Sequence, residues 1–214
     1  MLRRTAALLF LSLFLALPAA AQLPGLNSIG VKGGATASSL RGDFLATGDS
    51  DSDVDLGYEI GFVGGIYGQA MFVPFFTPRL EALYVQKGAT ADDLNGARPT
   101  VDYLEVPLLL RANVPVSNAA FAPGIYAGPF ASFLLSSDAD PDAGTGEFED
   151  LGGTDYGVAL GADANFNFSG LDLVLDVRYD LGLSDISGDN ATNVDGDDLR
   201  ITTGTWMLTL GVGL

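Results

Sequence analysis

The 214-residue sequence contains no cysteine and no histidine. Without cysteine, the chain forms no disulfide and offers no thiolate for metal binding or redox chemistry. Without histidine, it lacks the commonest general base and the commonest metal ligand. These two absences exclude Ser-His-Asp and Cys-His catalytic arrangements and histidine zinc sites, so we predict no catalytic residue and no cofactor.

Basic residues are scarce as well. Ten lysines and arginines stand against 27 aspartates and glutamates, for a net charge of −17, and the only lysines are Lys32 and Lys87. A chain this acidic repels nucleic acid, which we exclude as a partner. The mean hydropathy is nevertheless positive, at +0.29. Such a chain must separate its charges from its apolar residues.

The chain begins with MLRRTAALLFLSLFLALPAAAQ. Two arginines precede an apolar run from Ala6 to Leu17, and small residues follow up to Ala21. The run is shorter than the roughly 20 residues of a membrane-spanning helix, and its layout is typical of a secretory signal peptide with an A-x-A cleavage site. We expect residues 1–21 to be removed and residues 22–214 to form a single domain.

The rest of the chain is a series of short alternating segments. No apolar run after the leader approaches the length of a membrane helix. Instead, runs of alternating apolar and polar residues recur between turn residues, which predicts β-strands. We predict eight strands, over 28–38, 57–72, 76–88, 101–114, 120–135, 154–167, 170–183 and 199–214. Pro123 and Pro129 each remove a ladder donor from the fifth strand, so we expect bulges there.

The connections between these strands alternate strictly between short and long. The short ones read VPFFTP, PVSNAA and NFSG, and the long ones cover about 39–56, 89–100, 136–153 and 184–198. Most of the acidic residues lie in the long connections. Outer-membrane barrels sort their connections in this way, with short periplasmic turns at one rim and long extracellular loops at the other.

Whether the polar or the apolar face of the strands points outward distinguishes a soluble barrel from a barrel embedded in a membrane. In LDLVLDVRYDLGL, residues 171–183, most of the apolar side chains share one face, and the charged side chains share the other. A soluble barrel would carry many lysines and glutamates outside, which this chain lacks. The polar face is rich in glycine, which suits the narrow bore of an eight-stranded barrel. We therefore predict an all-β fold, an eight-stranded antiparallel up-and-down transmembrane β-barrel with its apolar face toward lipid.

Charged residues on the inward faces are expected to meet across the bore. They are Glu59, Glu81, Glu105, Arg111, Asp163, Asp172, Asp176 and Arg178. Buried charges persist only when they are paired, so we interpret these residues as a structural ion-pair network. The alternative is a constellation of catalytic acids and bases. A continuous pore is not expected at this strand number.

One acidic connection has the spacing of a calcium loop. In DADPDAGTGEFE, an EF-hand-like register at positions 1, 3, 5 and 12 is occupied by Asp138, Asp140, Asp142 and Glu149. Ala143, however, stands where the sharp turn requires glycine, and no helices flank the loop. The alternative is a solvated, highly charged surface. We predict no dedicated metal site and keep these four residues as calcium candidates.

Several motifs occur in an order that resembles a known family. They are GVKGGATASSL, RLEALYVQKGA, DYLEVPLLLRANV, PGIYAGPF, YGVALGADANF and LVLDVRYDLGLSDI. Together they resemble the PorT-like outer-membrane β-barrel family over nearly the whole chain after the leader. The resemblance implies an eight-stranded barrel in the outer membrane of a Gram-negative-type cell, inserted by the barrel-assembly machinery. It implies no shared catalytic motif.

Three functions are open at this point. We favour a non-enzymatic integral outer-membrane protein, surrounded by membrane lipids, with both termini in the periplasm. Its acidic extracellular loops would interact with cations or envelope partners. The second is a soluble periplasmic binding barrel of the lipocalin type. The third is an outer-membrane enzyme, which the absence of histidine disfavours.

Overall fold

The chain folds into eight strands that account for nearly all of the described residues. The computed structural model describes residues 28–42, 57–70, 73, 75–90, 100–116, 121–138, 154–168, 171–184 and 201–214, and the predicted signal peptide lies outside them. The strands are β1 (Ser28–Gly42), β2 (Gly57–Gln69), β3 (Phe76–Thr90), β4 (Thr100–Asn113), β5 (Phe121–Asp138), β6 (Thr154–Phe168), β7 (Leu171–Gly182) and β8 (Ile201–Gly213). Within these ranges no helix is long and apolar enough to cross a membrane.

The strands form one closed antiparallel barrel in sequence order, which confirms the predicted fold class. Each strand pairs with its neighbours in the chain, and β1 closes the barrel against β8, with Val31 opposite Val212. Alternate connections therefore leave from opposite rims. The short-turn rim carries 70–75, 114–120 and 169–170, and the long-loop rim carries 43–56, 91–99, 139–153 and 183–200. Because the sheet closes on itself, it has no free edge strand, which is the condition for a sheet in lipid.

Side-chain exposure alternates along the strands as the hydrophobic pattern predicts. In β7, Leu175 and Val177 are 46% and 44% exposed, whereas Asp176 and Arg178 are each 1% exposed. The same alternation in β2, β4 and β8 exposes Ile60, Phe62, Leu104, Leu108, Leu110, Leu208, Leu210 and Val212. The exterior is therefore apolar and the interior polar, the reverse of a soluble barrel.

Large interior side chains fit the narrow bore because they lie over glycines of the adjacent strand, which have no side chain. The ring of Tyr67 occupies the space that a side chain at Gly30 would need, and the guanidinium of Arg111 does the same at Gly124. Apolar side chains form two buried clusters on different walls. One contains Val63, Leu83, Val85 and Met207, and the other contains Leu109, Tyr126, Phe130 and Ala159.

The ladder between β4 and β5 contains one bulge. Its extra residue is Leu135, because Asp102 pairs with Ser136 whereas the next residue of β4 pairs with Leu134. The prediction of bulges at Pro123 and Pro129 is wrong, since the register between β5 and β6 runs unbroken through both. A proline removes one ladder hydrogen bond without adding a residue, so the register has no need to shift.

The ladder between β2 and β3 is interrupted between Tyr58 and Val63 of β2, where the register shifts. Hydroxyl groups of β1 bridge this interval. Thr36 Oγ1 donates to the Gln86 carbonyl oxygen at 2.8 Å. Ser38 Oγ donates to the Gly88 carbonyl oxygen at 2.9 Å and accepts the Gly88 N–H at 2.8 Å. These hydrogen bonds tie β1 directly to β3 where the regular ladder is missing.

Aromatic residues mark two levels on the outside of the barrel. Toward the long-loop rim, the tilted rings of Tyr179 and Trp206 have centroids 4.8 Å apart, and the ring centroid of Tyr84 lies 6.4 Å from that of Phe62. Toward the short-turn rim, Phe76 is exposed. Such belts sit at the two membrane interfaces of outer-membrane barrels. The stretch 76–84 of β3 agrees with the roughly 9–11 residues that a tilted transmembrane strand needs.

The outward side chains become polar just beyond the tyrosine level. Gln86 Nε2 donates to Asp102 at 3.4 Å, and Ser136 Oγ donates to the other oxygen of Asp102 at 3.1 Å. These three residues lie side by side on β3, β4 and β5. Their polar row indicates that the lipid-facing surface ends between Tyr84 and Gln86, and that the strands continue into water.

Two adjacent glycines of β1 provide a matched test of packing. A side chain at Gly34 would collide with the Leu208 carbonyl oxygen of β8, whereas the nearest atom at Gly33 is the Val63 carbonyl oxygen at 3.7 Å. We expect Gly34→Ala to lower the free energy of unfolding by about 1–3 kcal/mol, as overpacking does. Gly33→Ala should change it by about 0.5 kcal/mol or less. Urea unfolding followed by the fluorescence of Trp206, the single tryptophan, measures both, and equal stabilities would contradict the packing.

Candidate functional site

Among the described residues, five basic and six acidic side chains are buried together inside the barrel. We call this set the charged lumen; it contains Lys32, Arg79, Glu81, Lys87, Glu105, Arg111, Asp155, Asp163, Asp176, Arg178 and Asp180. They come from β1, β3, β4, β6 and β7. Each occupies an inward position, because alternate residues of a strand point to the same face.

Glu81 is the centre of the charged lumen. Lys32 Nζ donates to both of its carboxylate oxygens, at 3.0 and 3.1 Å. Arg178 Nη2 donates a hydrogen bond to the Oε2 atom, and Arg79 Nη1 lies 3.9 Å from Oε1. Glu81 belongs to β3 and Arg178 to β7, which lie on opposite walls of the eight-stranded ring. This ion pair therefore crosses the bore.

A second group of contacts lies toward the short-turn rim. Arg79 Nη2 donates to Asp163 Oδ2 at 2.7 Å, which joins β3 to β6 across the bore. Arg111 Nε and Nη2 lie 2.7 and 2.6 Å from the other oxygen of Asp163. Arg111 Nη2 also donates to the carbonyl oxygen of Ala122 at 2.8 Å. Asp163 is thus held by two arginines from neighbouring strands.

A third group lies toward the long-loop rim. Lys87 Nζ stands between two carboxylates, 3.3 Å from Glu105 and 3.5 Å from Asp155. Hydroxyl groups donate further hydrogen bonds to the same carboxylates and come from Ser132, Ser184 and Thr203. Arg178 Nη1, 3.9 Å from Glu105 Oε1, connects this group to the centre.

Aromatic rings line the cations of the charged lumen. The ring of Tyr126 lies 5.6 Å from the guanidinium carbons of both Arg79 and Arg178. Its hydroxyl donates to Asp176 at 2.9 Å. Lys87 Nζ lies 5.2 Å from the ring centroids of both Tyr103 and Phe130. Cation–π contacts of this kind are stronger where water is excluded, so the rings help to hold the cations in place.

The contacts form a continuous series from Arg111, near one rim, to Asp155, near the other. Buried charges are stable only when they are paired and hydrogen-bonded. Side chains that cross the bore at successive levels also occupy the space that a channel would need. The charged lumen therefore holds opposite walls together and closes the interior of the described barrel.

Residues 20–188 match the sequence profile of the outer membrane protein beta-barrel domain family. The chain belongs to this family. The match covers most of the sequence, and the closed barrel with its apolar exterior agrees with a place in the outer membrane. No curated protein is detectably similar to the chain in sequence.

Several solved structures resemble this outer-membrane barrel at low identity. Ail of Yersinia pestis, solved in complex with the heparin analogue sucrose octasulfate, is 15% identical, with 87% of this chain and 98% of that chain covered and a TM-score of 0.42. The N-terminal β-barrel domain of Pseudomonas aeruginosa OprF is 13% identical, with coverages of 88% and 97% and a TM-score of 0.45. Outer Membrane Protein W of E. coli is 13% identical, with coverages of 88% and 98% and a TM-score of 0.44.

The predicted lumen residues of this outer-membrane barrel occupy two kinds of position. Those in the charged lumen are Glu81, Glu105, Arg111, Asp163, Asp176 and Arg178. Glu59 and Asp172 are half-buried and stand nearer the mouths of the bore. Asp172, near the short-turn rim, accepts a hydrogen bond from Asn167 Nδ2 at 2.6 Å.

The calcium candidates fall mostly outside the described residues. Asp138 is the last residue of β5, so the candidate loop begins within a strand. Asp140, Asp142 and Glu149 lie outside the described residues. In the part of the barrel that the structure describes, no three acidic side chains are arranged to hold a metal ion. The absence of a dedicated metal site in this connection, with the four residues as calcium candidates, stays a prediction.

Sequence reasoning missed nearly half of the charged lumen. The missed residues are Lys32, Arg79, Lys87, Asp155 and Asp180. Their position in the alternation was a usable signal, because Arg79 and Lys87 are in phase with Glu81 along β3. The cost of a cation on the lipid face, about 2–4 kcal/mol at mid-membrane, was a second signal. Every lysine or arginine side chain that the structure describes is buried in the bore.

Asp180 is the one carboxylate of the charged lumen that accepts no hydrogen bond on either oxygen from the described residues, and it faces the carboxylate of Glu105 at hydrogen-bonding range. It is 1% exposed, and Glu105, Arg178 and Lys87 are its charged neighbours. Among the same residues, Glu105 Oε1 also receives no hydrogen bond. A buried carboxylate that receives no hydrogen bond costs free energy, so Asp180 is a local weakness of the network.

Substituting two inward aspartates of β7 should change stability in opposite directions. Asp180→Asn removes one of two carboxyl groups that face each other and supplies an amide donor for Glu105, so we expect the free energy of unfolding to rise by about 1–2 kcal/mol. Asp176→Asn weakens the ion pairs with Lys32 and Arg79, so we expect it to fall by about 1–3 kcal/mol. Urea unfolding in detergent measures both variants. A loss of stability in both would contradict our reading of Asp180.

Proposed function

We propose that this outer-membrane barrel is a closed, non-enzymatic anchor that holds its acidic connections at the cell surface. The observation that carries the proposal is the charged lumen. Ion pairs of Glu81 with Arg178 and of Arg79 with Asp163 cross the bore between opposite or distant walls. A solute would have to break these pairs, at a cost of several kcal/mol each, to pass between them.

The same burial argues against catalysis in the bore. Catalytic groups face a cavity that a substrate can enter. Here Glu81, Glu105 and Arg178 are fully buried against partners on other strands. A soluble lipocalin-like barrel is disfavoured for a related reason, because it would need an apolar cavity in its interior and a polar exterior. We therefore place the function at the rims and on the outer surface.

We infer the orientation from the two rims. Outer-membrane barrels place short turns in the periplasm and long loops outside, so both termini of this chain would be periplasmic. Most acidic residues would then face the cell exterior, where cations and envelope molecules are the partners that the charge favours. Membrane lipids surround the barrel, and the barrel-assembly machinery inserts it. The motifs LYVQKG and YLEVPLLL support placing the chain in the PorT-like group of its family.

A conductance measurement tests the closed bore. We expect the refolded wild-type protein to give no unitary current steps in planar lipid bilayers, and liposomes that contain it to retain a small trapped dye. A general porin in the same lipid controls for the sensitivity of the assay. The heat-dependent shift of the folded band on a detergent gel controls for insertion. Current steps in the wild type that change size in Arg178→Ala would show that ions pass through the bore, and would overturn the proposal.

Epitope tags test the orientation. A tag inserted within 189–195 should bind antibody on intact cells, because we expect the long connections outside. A tag after Leu214 should bind only after the outer membrane is permeabilised. The reverse pattern would show that the barrel is inserted the other way round. A periplasmic marker protein that stays inaccessible in the intact cells confirms that their outer membrane is closed.

A further inference from the structure

The charged lumen carries one negative charge in excess. Its described side chains supply five positive charges and six negative ones, all of them buried. An unpaired charge in such a place is strongly unfavourable, because neither bulk water nor the surrounding lipid neutralises it. A further positive charge must therefore accompany these side chains, either as a bound cation or as a proton on one of the carboxylates.

The position of the excess charge is the contact between Asp180 of β7 and Glu105 of β4. Asp180 is 1% exposed and Glu105 is 0% exposed. Their carboxyl groups face each other at hydrogen-bonding range, yet neither oxygen of Asp180 nor Oε1 of Glu105 receives a hydrogen bond from the described residues. We call this pair the carboxyl dyad. Because β4 and β7 are three strands apart in the ring, the carboxyl dyad crosses the bore.

The two neighbouring cations are engaged elsewhere. Lys87 Nζ of β3 lies 3.3 Å from Glu105 and 3.5 Å from Asp155 of β6, so two carboxylates already share its charge. Arg178 of β7 donates to a carboxylate of β3, and its Nη1 atom is 3.9 Å from Glu105 Oε1, too far for a hydrogen bond. Neither cation donates a hydrogen bond to Asp180.

The remaining strands offer no compensating charge at this end of the bore. Thr205 of β8 pairs directly with Asp180, but its buried hydroxyl makes no hydrogen bond to the described residues. On β2, Glu59 is half-buried nearer the mouth and adds negative charge. The described side chains of β5 include no charged group, and the one described on β1, Lys32, is bound to Glu81 at the centre.

A proton fits the carboxyl dyad better than a metal ion does. One shared proton turns the repulsion between two facing carboxylates into a hydrogen bond and requires no other ligand. A metal ion requires several more oxygen atoms, and the described part of the barrel holds no group of three acidic side chains that could bind one. We propose that Asp180 and Glu105 share one proton in the folded barrel and form a pH-sensitive latch between β4 and β7.

The latch makes the stability of the barrel depend on pH. In the unfolded chain both carboxyl groups are in water and release their protons near about pH 4. At neutral pH the folded barrel then holds one proton more than the unfolded chain, so its stability falls as the pH rises, until the dyad is ionised. Ionisation leaves two carboxylates that repel each other across the bore, which weakens the link between the two walls toward the long-loop rim. The inference does not depend on the orientation of the barrel in the membrane.

Urea unfolding over a pH series tests the latch. The chain has no histidine and no cysteine, so no other side chain ordinarily titrates between about pH 6 and 8. Over this range we expect the ratio of folded to unfolded wild-type protein, relative to that of Asp180→Asn, to fall by up to about tenfold per pH unit. The amide of the variant carries hydrogens that it does not release. Parallel pH profiles of the two proteins would overturn the proposal.

A matched control uses the other inward aspartate of the same strand end. Asp176 is also 1% exposed, and Asp176→Asn should keep the pH slope of the wild type although its stability is lower. Each variant is first checked for the heat-dependent gel shift. Sodium is also exchanged for choline at constant ionic strength. A loss of stability on this exchange in the wild type, but not in Asp180→Asn, would show a bound cation in place of the proton and would overturn the proposal.

Infrared spectroscopy of the folded protein detects the proton directly. At neutral pH we expect the wild type and Asp176→Asn to show the carbonyl stretch of a neutral carboxyl group. Asp180→Asn should lack this band, and so should Glu105→Gln, which removes the other half of the carboxyl dyad. A wild-type spectrum without the band, or a band that persists in both dyad variants, would show that the two carboxyl groups do not share a proton.

Discussion

Charge neutralisation inside a narrow bore is the constraint on which the rest of this structure depends. Eight strands enclose a space that side chains alone can fill, and the surrounding lipid supplies no counter-charge. Each buried cation must therefore find a carboxylate on another wall, as Arg178 does in Glu81 and Arg79 does in Asp163. These pairs fix the distances between strands that are far apart in sequence. They therefore favour the observed strand register over registers shifted along the strands.

Lipid on the outside imposes the complementary requirement. A charge on that face costs free energy, so the basic side chains that the structure describes all lie inside. The outer surface then consists of leucine, isoleucine, valine and aromatic residues between two aromatic levels, with a polar row beginning at Gln86. Because the bore is occupied and the wall is apolar, we expect interactions with polar partners at the rims.

The prolines of β5 show where local reasoning about strands fails. Pro123 and Pro129 lack ladder donors, yet the β5–β6 register passes both without a shift. The bulge is at Leu135 instead, where β5 passes from the lipid-facing band to the polar row at Ser136. A missing donor affects one hydrogen bond, whereas a bulge changes the side-chain alternation that follows it. The position of a bulge depends on the neighbouring strand and on whether the segment faces lipid or water. The presence of a proline in the sequence indicates neither.

The sequence by itself determined the number of strands, their approximate bounds, their lipid-facing and inward faces, and the sorting of connections to two rims. All of these follow from a period of two and from turn residues, which are local properties of the chain. Only the tertiary structure decided which charges meet. Glu81 and Arg178 are 97 residues apart, and Asp180 accepts no hydrogen bond from the described residues although it lies two residues from Arg178. Those outcomes depend on the stagger of all eight strands around the closed barrel, because it sets which inward side chains share a level.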